Sequence, residues 1–131
     1  MAALYRPIWI SLGFVSIIFH LWLIFSGLIP SLVARPLHMA LALPWVFLFA
    51  CKNINQLLLG AIFTALGAAG CFYIAFNEFG LSDQYGFLNG WHQIVISAIL
   101  IVVTLEMARK SVGWPLPAIT SLFILYGFFG D

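Results

Sequence analysis

Three histidines, His20, His38 and His92, are the side chains of this sequence that could hold a metal ion or a haem. Two imidazoles gripping one haem must stand at one level along their helices. With a rise of about 1.5 Å per residue, His20 is expected on the order of 15 Å deeper than the other two, so only His38 and His92 could pair. No cysteine or carboxylate stands at ligand spacing beside them. The sequence therefore predicts no metal and no cofactor, and His20 reads as a buried hydrogen-bonding residue on a helix-packing side. Glu106, Arg109 and Lys110 form the second polar constellation. Spacings of three and four put them on one helical face, the pattern of a helix end anchored at an interface. An ion or proton site would need the acid deeper and away from cations. There is no glycine-rich phosphate loop, nucleophile motif or carboxylate pair, so enzymatic activity is not expected.

Two further groups invite recognition rather than catalysis. Gly60, Thr64, Gly67 and Cys71, with Ala68 beside them, follow spacings of four, three and four and share one helical face. Small side chains let backbones approach closely where van der Waals packing drives association. This row serves either a protein–protein contact or packing within the chain. Arg35-Pro36-Leu37-His38 is a compact polar cluster. Its arginine suits either a lipid headgroup or an acidic partner.

The elements that carry these residues follow from charge placement. Arg6, Arg35, Lys52, Glu78, Asp83, Glu106, Arg109, Lys110 and Asp131 are all the charged residues, 7% of 131 against 64% hydrophobic. A soluble domain carries roughly a quarter. The uncharged stretches between them approach or exceed the roughly 20 residues that a bilayer core requires. The expectation is an all-α membrane protein in a single integral membrane domain. It would have four transmembrane helices, at about 8–29, 36–52, 57–76 and 91–108, and a fifth short C-terminal hydrophobic segment at 115–130. Pro7 starts the first span and Pro30 stops it; Pro36 starts the second, which Pro44 kinks. Residues 77–90 form a polar loop. The first span is too long for a signal peptide, and Leu32-Val33-Ala34 is a poor cleavage site, so it reads as retained.

The positive-inside rule puts the N-terminus in the cytoplasm with Arg6, Lys52, Arg109 and Lys110, leaving Arg35 alone outside with Glu78 and Asp83. Glu106, Arg109 and Lys110 then anchor a cytoplasmic helix end, and Arg35, His38 and His92 lie at the outer face. Trp9, Trp91 and Trp114 fall near the interfaces. A net charge of +1 excludes a nucleic-acid role. Cys51 and Cys71 fall at different depths and read as free, packed thiols.

Three motifs resemble one family. Arg35-Pro36-Leu37-His38-Met39-Ala40 is similar to the R-x-x-H-hydrophobic-A pattern near the start of TRAP transporter permeases of the TAXI type. The run Leu105-Glu106-Met107-Ala108-Arg109-Lys110-Ser111-Val112-Gly113-Trp114-Pro115-Leu116-Pro117 resembles that family's L-E-x-x-R-R helix end and V-G-W-x-L-P segment. Ile124-Leu125-Tyr126-Gly127-Phe128-Phe129-Gly130 resembles its F-L-x-Y-x-x-F-G ending. The resemblance implies a separate small, Q-type subunit, or a fragment of a fused permease, in the bacterial inner membrane. It further implies a sodium-driven tripartite transporter for organic acids. A large M-type permease subunit would carry the sodium and substrate sites, and a soluble substrate-binding protein would deliver the substrate. The small subunit would be a lipid-embedded scaffold that helps dock the binding protein through Arg35, His38 and His92. Two other classes stand beside it: a haem- or quinone-associated anchor of a redox complex using His38 and His92, and an independent small transporter.

Overall fold

The computed structural model describes residues 6–49 and 51–130. Asp131, one of the charged residues named above, lies outside them. The described residues form six helices and no strand: α1 (Arg6–Ser26), α2 (Ser31–Phe47), α3 (Ile54–Phe76), α4 (Glu78–Ser82), α5 (Trp91–Val112) and α6 (Pro115–Phe129). Of these, α1, α3 and α5 are long and apolar enough to cross a membrane. The helices α2 and α6 are apolar but shorter, with 17 and 15 residues. The chain is thus an all-helical membrane protein.

Several boundaries differ from the expected spans. Pro30 does not merely stop the first helix; it is the N-cap of α2, and its carbonyl accepts from the Val33 and Ala34 amides at 3.0 Å. Helix α2 therefore begins at Ser31 rather than at Pro36, which lies inside it together with Pro44. It ends at Phe47 rather than near residue 52, where the Leu48 and Phe49 amides both bond the Pro44 carbonyl. Helix α1 starts and stops earlier than expected, at Arg6 and Ser26, and a positive-φ Gly27 turns the chain. Helix α3 begins a turn early, at Ile54, and α5 runs through Arg109 and Lys110 to Val112. The 77–90 loop contains the short helix α4.

Both long central helices start with the same polar device. The Gln56 side-chain carbonyl accepts the Lys52 amide at 3.3 Å, and the Gln93 carbonyl accepts the Asn89 amide at 2.7 Å. Each glutamine is the third residue of its helix and reaches back past the N-cap, satisfying a backbone donor that the helix cannot. At the far end of α5, Gly113 takes φ +101° and turns the chain directly into α6, with Pro115 at its first position.

The core lies where α2, α3 and α5 meet. Leu43, Phe47, Cys71 and Val103 are buried, and Phe63 stacks on Phe47 with ring centroids 5.4 Å apart. Pairings of Phe47 with Gly60 and Leu43 with Gly67 run α3 antiparallel to α2, and pairings of Val103 with Gly67 and Leu100 with Gly70 run it antiparallel to α5. Among the described residues, helix α1 packs on α2 alone, and α6 on α5 alone. No residue of α1 is buried, and only Pro117 of α6 is. The architecture is a tight three-helix centre with one loosely attached helix on either flank.

Candidate functional site

The small-residue row resolves into internal packing. Gly60 lies under the Phe47 carbonyl, Gly67 between Leu43 and Val103, and Gly70 against Leu100. Gly60, Gly67, Gly70 and Cys71 are all buried. Thr64 belongs to the same face, and its hydroxyl is buried without a hydrogen-bond partner. The absence of side chains at 60, 67 and 70 is what lets α3 lie close to α2 and α5 at once. Of the two roles open to this row, the structure gives it packing within the chain. Gly70 belongs to the row and was not anticipated, although it stands three residues after Gly67, the spacing that defines the face.

The polar cluster at the end of α5 divides its work. Arg109 donates from Nε to Glu106 Oε2 at 2.7 Å and from a terminal nitrogen to Oε1 at 2.5 Å, a two-point ion pair. Its guanidinium carbon also lies 5.3 Å from the centroid of the Trp114 ring. Lys110 does not join the carboxylate; its Nζ lies 4.9 Å from the centroid of the Phe47 ring. Arg109 thus braces the α5–α6 turn, and Lys110 ties the end of α5 to that of α2. Nearby, the Cys51 thiol donates to the Phe47 carbonyl at 2.8 Å, and both cysteines are free.

The histidines overturn the depth argument made from the sequence. His20 and His38 lie at one level and hydrogen-bond through His20 Nε2 and His38 Nδ1. Their ring centroids are 4.7 Å apart, and the planes meet edge to face at 85°. The error came from starting the second helix at Pro36. Because α2 starts at Ser31, Arg35 and His38 are its fifth and eighth residues; both are exposed, but they lie in the second and third turns of the helix rather than at its start. Counting outward from the 27–30 turn would have found the pair: seven residues back from Gly27 to His20, eight forward from Pro30 to His38. His38 pairs with His20 and not with His92. His92 stands in the first turn of α5, against Trp91 and Gly90. The pairing of His38 with His92 that a haem anchor would use is not formed, and no group of three or more histidines, cysteines or carboxylates gathers at a metal site among the described residues.

Arg35 is exposed and has no ion pair among the described residues. At the same end of the bundle a cavity of about 230 Å³ opens between α3, α5 and the α4 segment, with Tyr73, Gln84, Gln93 and Ser97 among its walls. At the opposite end, Trp9 packs against Trp45 and Phe49 with centroids 5.1 Å apart in both pairs. This aromatic knot fixes the start of α1 to the end of α2.

No family model, no curated protein and no solved structure matches the chain.

Proposed function

We propose that this chain is the small membrane subunit of a tripartite, sodium-driven secondary transporter for organic acids in a bacterial inner membrane. In this reading it crosses the membrane with four helices, α1, α2, α3 and α5, adds a short fifth hydrophobic segment, α6, and has its N-terminus in the cytoplasm. It is a scaffold for a large permease subunit and contributes an outer rim at which the binding protein docks. The sequence resemblance described above supplies the family.

The observation that carries the scaffold role is how the apolar surface is divided. The interior joins α2, α3 and α5 through glycines and a few large side chains. Among the described residues, helices α1 and α6 each touch one neighbour only and turn most of their surface outward. Ile17, Ile18, Ile24 and Phe25 of α1, and Leu122 and Phe123 of α6, are more than half exposed. A rigid centre with two apolar flanks suits a fixed piece embedded in lipid and laid against a larger membrane protein. The Glu106 carboxylate is engaged by Arg109, which fits an anchor better than an ion-carrying site. The short α6 fits the same reading, since a helix of 15 residues spans about 22 Å and leaves a bilayer core of about 30 Å incompletely crossed.

The test is purification from the native membrane through a tag on this chain. The proposed role requires a large multi-span permease in constant stoichiometry with it. A chain that purifies alone, or with a partner showing a haem absorption band, contradicts the proposal.

A further inference from the structure

We propose that His20 and His38 form a single proton-binding site within the membrane region, which latches α1 onto α2. The hydrogen-bond pattern fixes the chemistry. His20 Nδ1 lies 2.6 Å from the Ser16 carbonyl oxygen, which can only accept, so Nδ1 carries the proton. In the neutral ring His20 Nε2 is then bare and accepts. His38 Nδ1 faces it and must donate, which leaves His38 Nε2 bare and free. Both rings are thereby held as Nδ1–H tautomers.

A proton arriving from water at the nearby helix ends forms an N–H bond at His38 Nε2. The product is a His38 imidazolium whose Nδ1–H still donates to His20 Nε2, now as a charge-assisted bond. A second proton has only His20 Nε2 to occupy. It would remove the acceptor that holds the rings together and set two cations in contact. The pair therefore takes one proton, and its two rings respond as one unit. A metal ion fits the same atoms poorly, because the two facing nitrogens are already spent on each other and only one remains.

The surroundings matter for any such charge. On α1 the other charged residue is Arg6, at the opposite end. On α2 Arg35 precedes His38 by three residues. Of the helices packed on α2, α3 carries the titratable side chains Cys71 and Tyr73; α4 carries Glu78, followed by Asp83; and α5 carries His92, Glu106, Arg109 and Lys110. None of these hydrogen-bonds to either ring among the described residues. Of these groups Arg35 stands nearest to the pair in sequence, one turn before His38. The mechanical weight of the pair follows from the packing. Helix α1 touches α2 alone, and the histidine bond is the one side-chain hydrogen bond joining it to another helix among the described residues. With the Trp9–Trp45 contact at the other end, it makes the second of two fastenings.

The experiment is nitrogen NMR of the full chain, labelled in histidine and held in lipid nanodiscs, with H92Q removing the third histidine and a purification tag free of histidine. At alkaline pH both rings are expected as Nδ1–H tautomers with bare Nε2 atoms. On acidification one proton per chain should appear on His38 Nε2, with both rings shifting over the same pH interval. H20Q should abolish the shared response and release His38 from its tautomer. An Nε2–H tautomer in either ring at alkaline pH, uptake of two protons, or two ring responses that ignore substitution of the partner would each overturn the proposal. The tautomer measurement needs neither pair variant, so a misfolded H20Q chain leaves it decisive.

Discussion

Gly67 of α3 lies so close to Leu43 of α2 that a methyl group at this position would stand 2.7 Å from Leu43 Cδ1, and 2.9 Å from Val103 Cγ1 of α5. One missing side chain sets the distance between three helices. A subunit interface at this glycine would need it to face outward, and it does not.

Substitutions at Gly67 should therefore act on the fold itself. Leucine overpacks the centre and should lower stability by about 1–3 kcal/mol, read as a lower unfolding temperature of the purified chain in detergent. Alanine gains up to about 1 kcal/mol of helix propensity but pushes on two side chains, so its net effect should be small. Gly127 of α6 is the control, with nothing within 4 Å of a methyl group placed there. Gly127→Ala should leave stability unchanged or raise it by up to about 1 kcal/mol. Equal effects of Gly67→Leu and Gly127→Leu would contradict the packing described.

The orientation makes a separate prediction. In a chain whose Cys51 and Cys71 are replaced by alanine, a cysteine at Ser82, exposed at the end of α4, should react with an impermeant thiol reagent added to intact cells. A cysteine at Ser111, beside the basic pair of α5, should react only after the membrane is opened. The reverse pattern would invert the topology.

Glu106 should prove structural. Glu106→Gln removes the two-point bond to Arg109 and loosens the α5–α6 turn, so expression should fall. At matched protein level the sodium dependence of uptake by the proposed transporter complex should stay as it was. A shifted sodium dependence would place an ion site at the end of α5.

Arg35 is exposed in the second turn of α2, one turn before His38. If it meets a carboxylate on the binding protein, the pair acts on association and is salt-sensitive. Arg35→Glu should then reduce uptake about twofold to fivefold at limiting binding protein, and excess binding protein should restore it. Uptake indifferent to this substitution at every binding-protein concentration would make Arg35 a headgroup anchor.

The membrane class and the existence of α1, α3 and α5 were legible because charges interrupt the chain only between apolar runs. The face shared by Gly60, Thr64, Gly67 and Cys71 was legible from spacing alone. What covered that face was not, since spacing names a side of a helix and not its neighbour. The start of α2 was misread because two prolines, Pro30 and Pro36, both fit a helix beginning; the earlier one caps it. That reading placed His38 in the first turn of its helix rather than the third, and hid its partner His20. The Lys110–Phe47 contact was hidden for another reason: spacing groups Lys110 with Glu106 and Arg109 on one helical face, but Arg109 takes both carboxylate oxygens and Lys110 turns to a ring of α2, which spacing on α5 cannot name.

The central claim is that this chain is a scaffold within a binding-protein-dependent transporter. The most direct test is organic-acid uptake into proteoliposomes containing the complex purified through this chain, compared with proteoliposomes of this chain alone. The account predicts uptake only when the large permease, the binding protein and an inward sodium gradient are all present, and none by this chain alone. Uptake by the chain alone, or equal uptake by the permease with this chain removed, would contradict it.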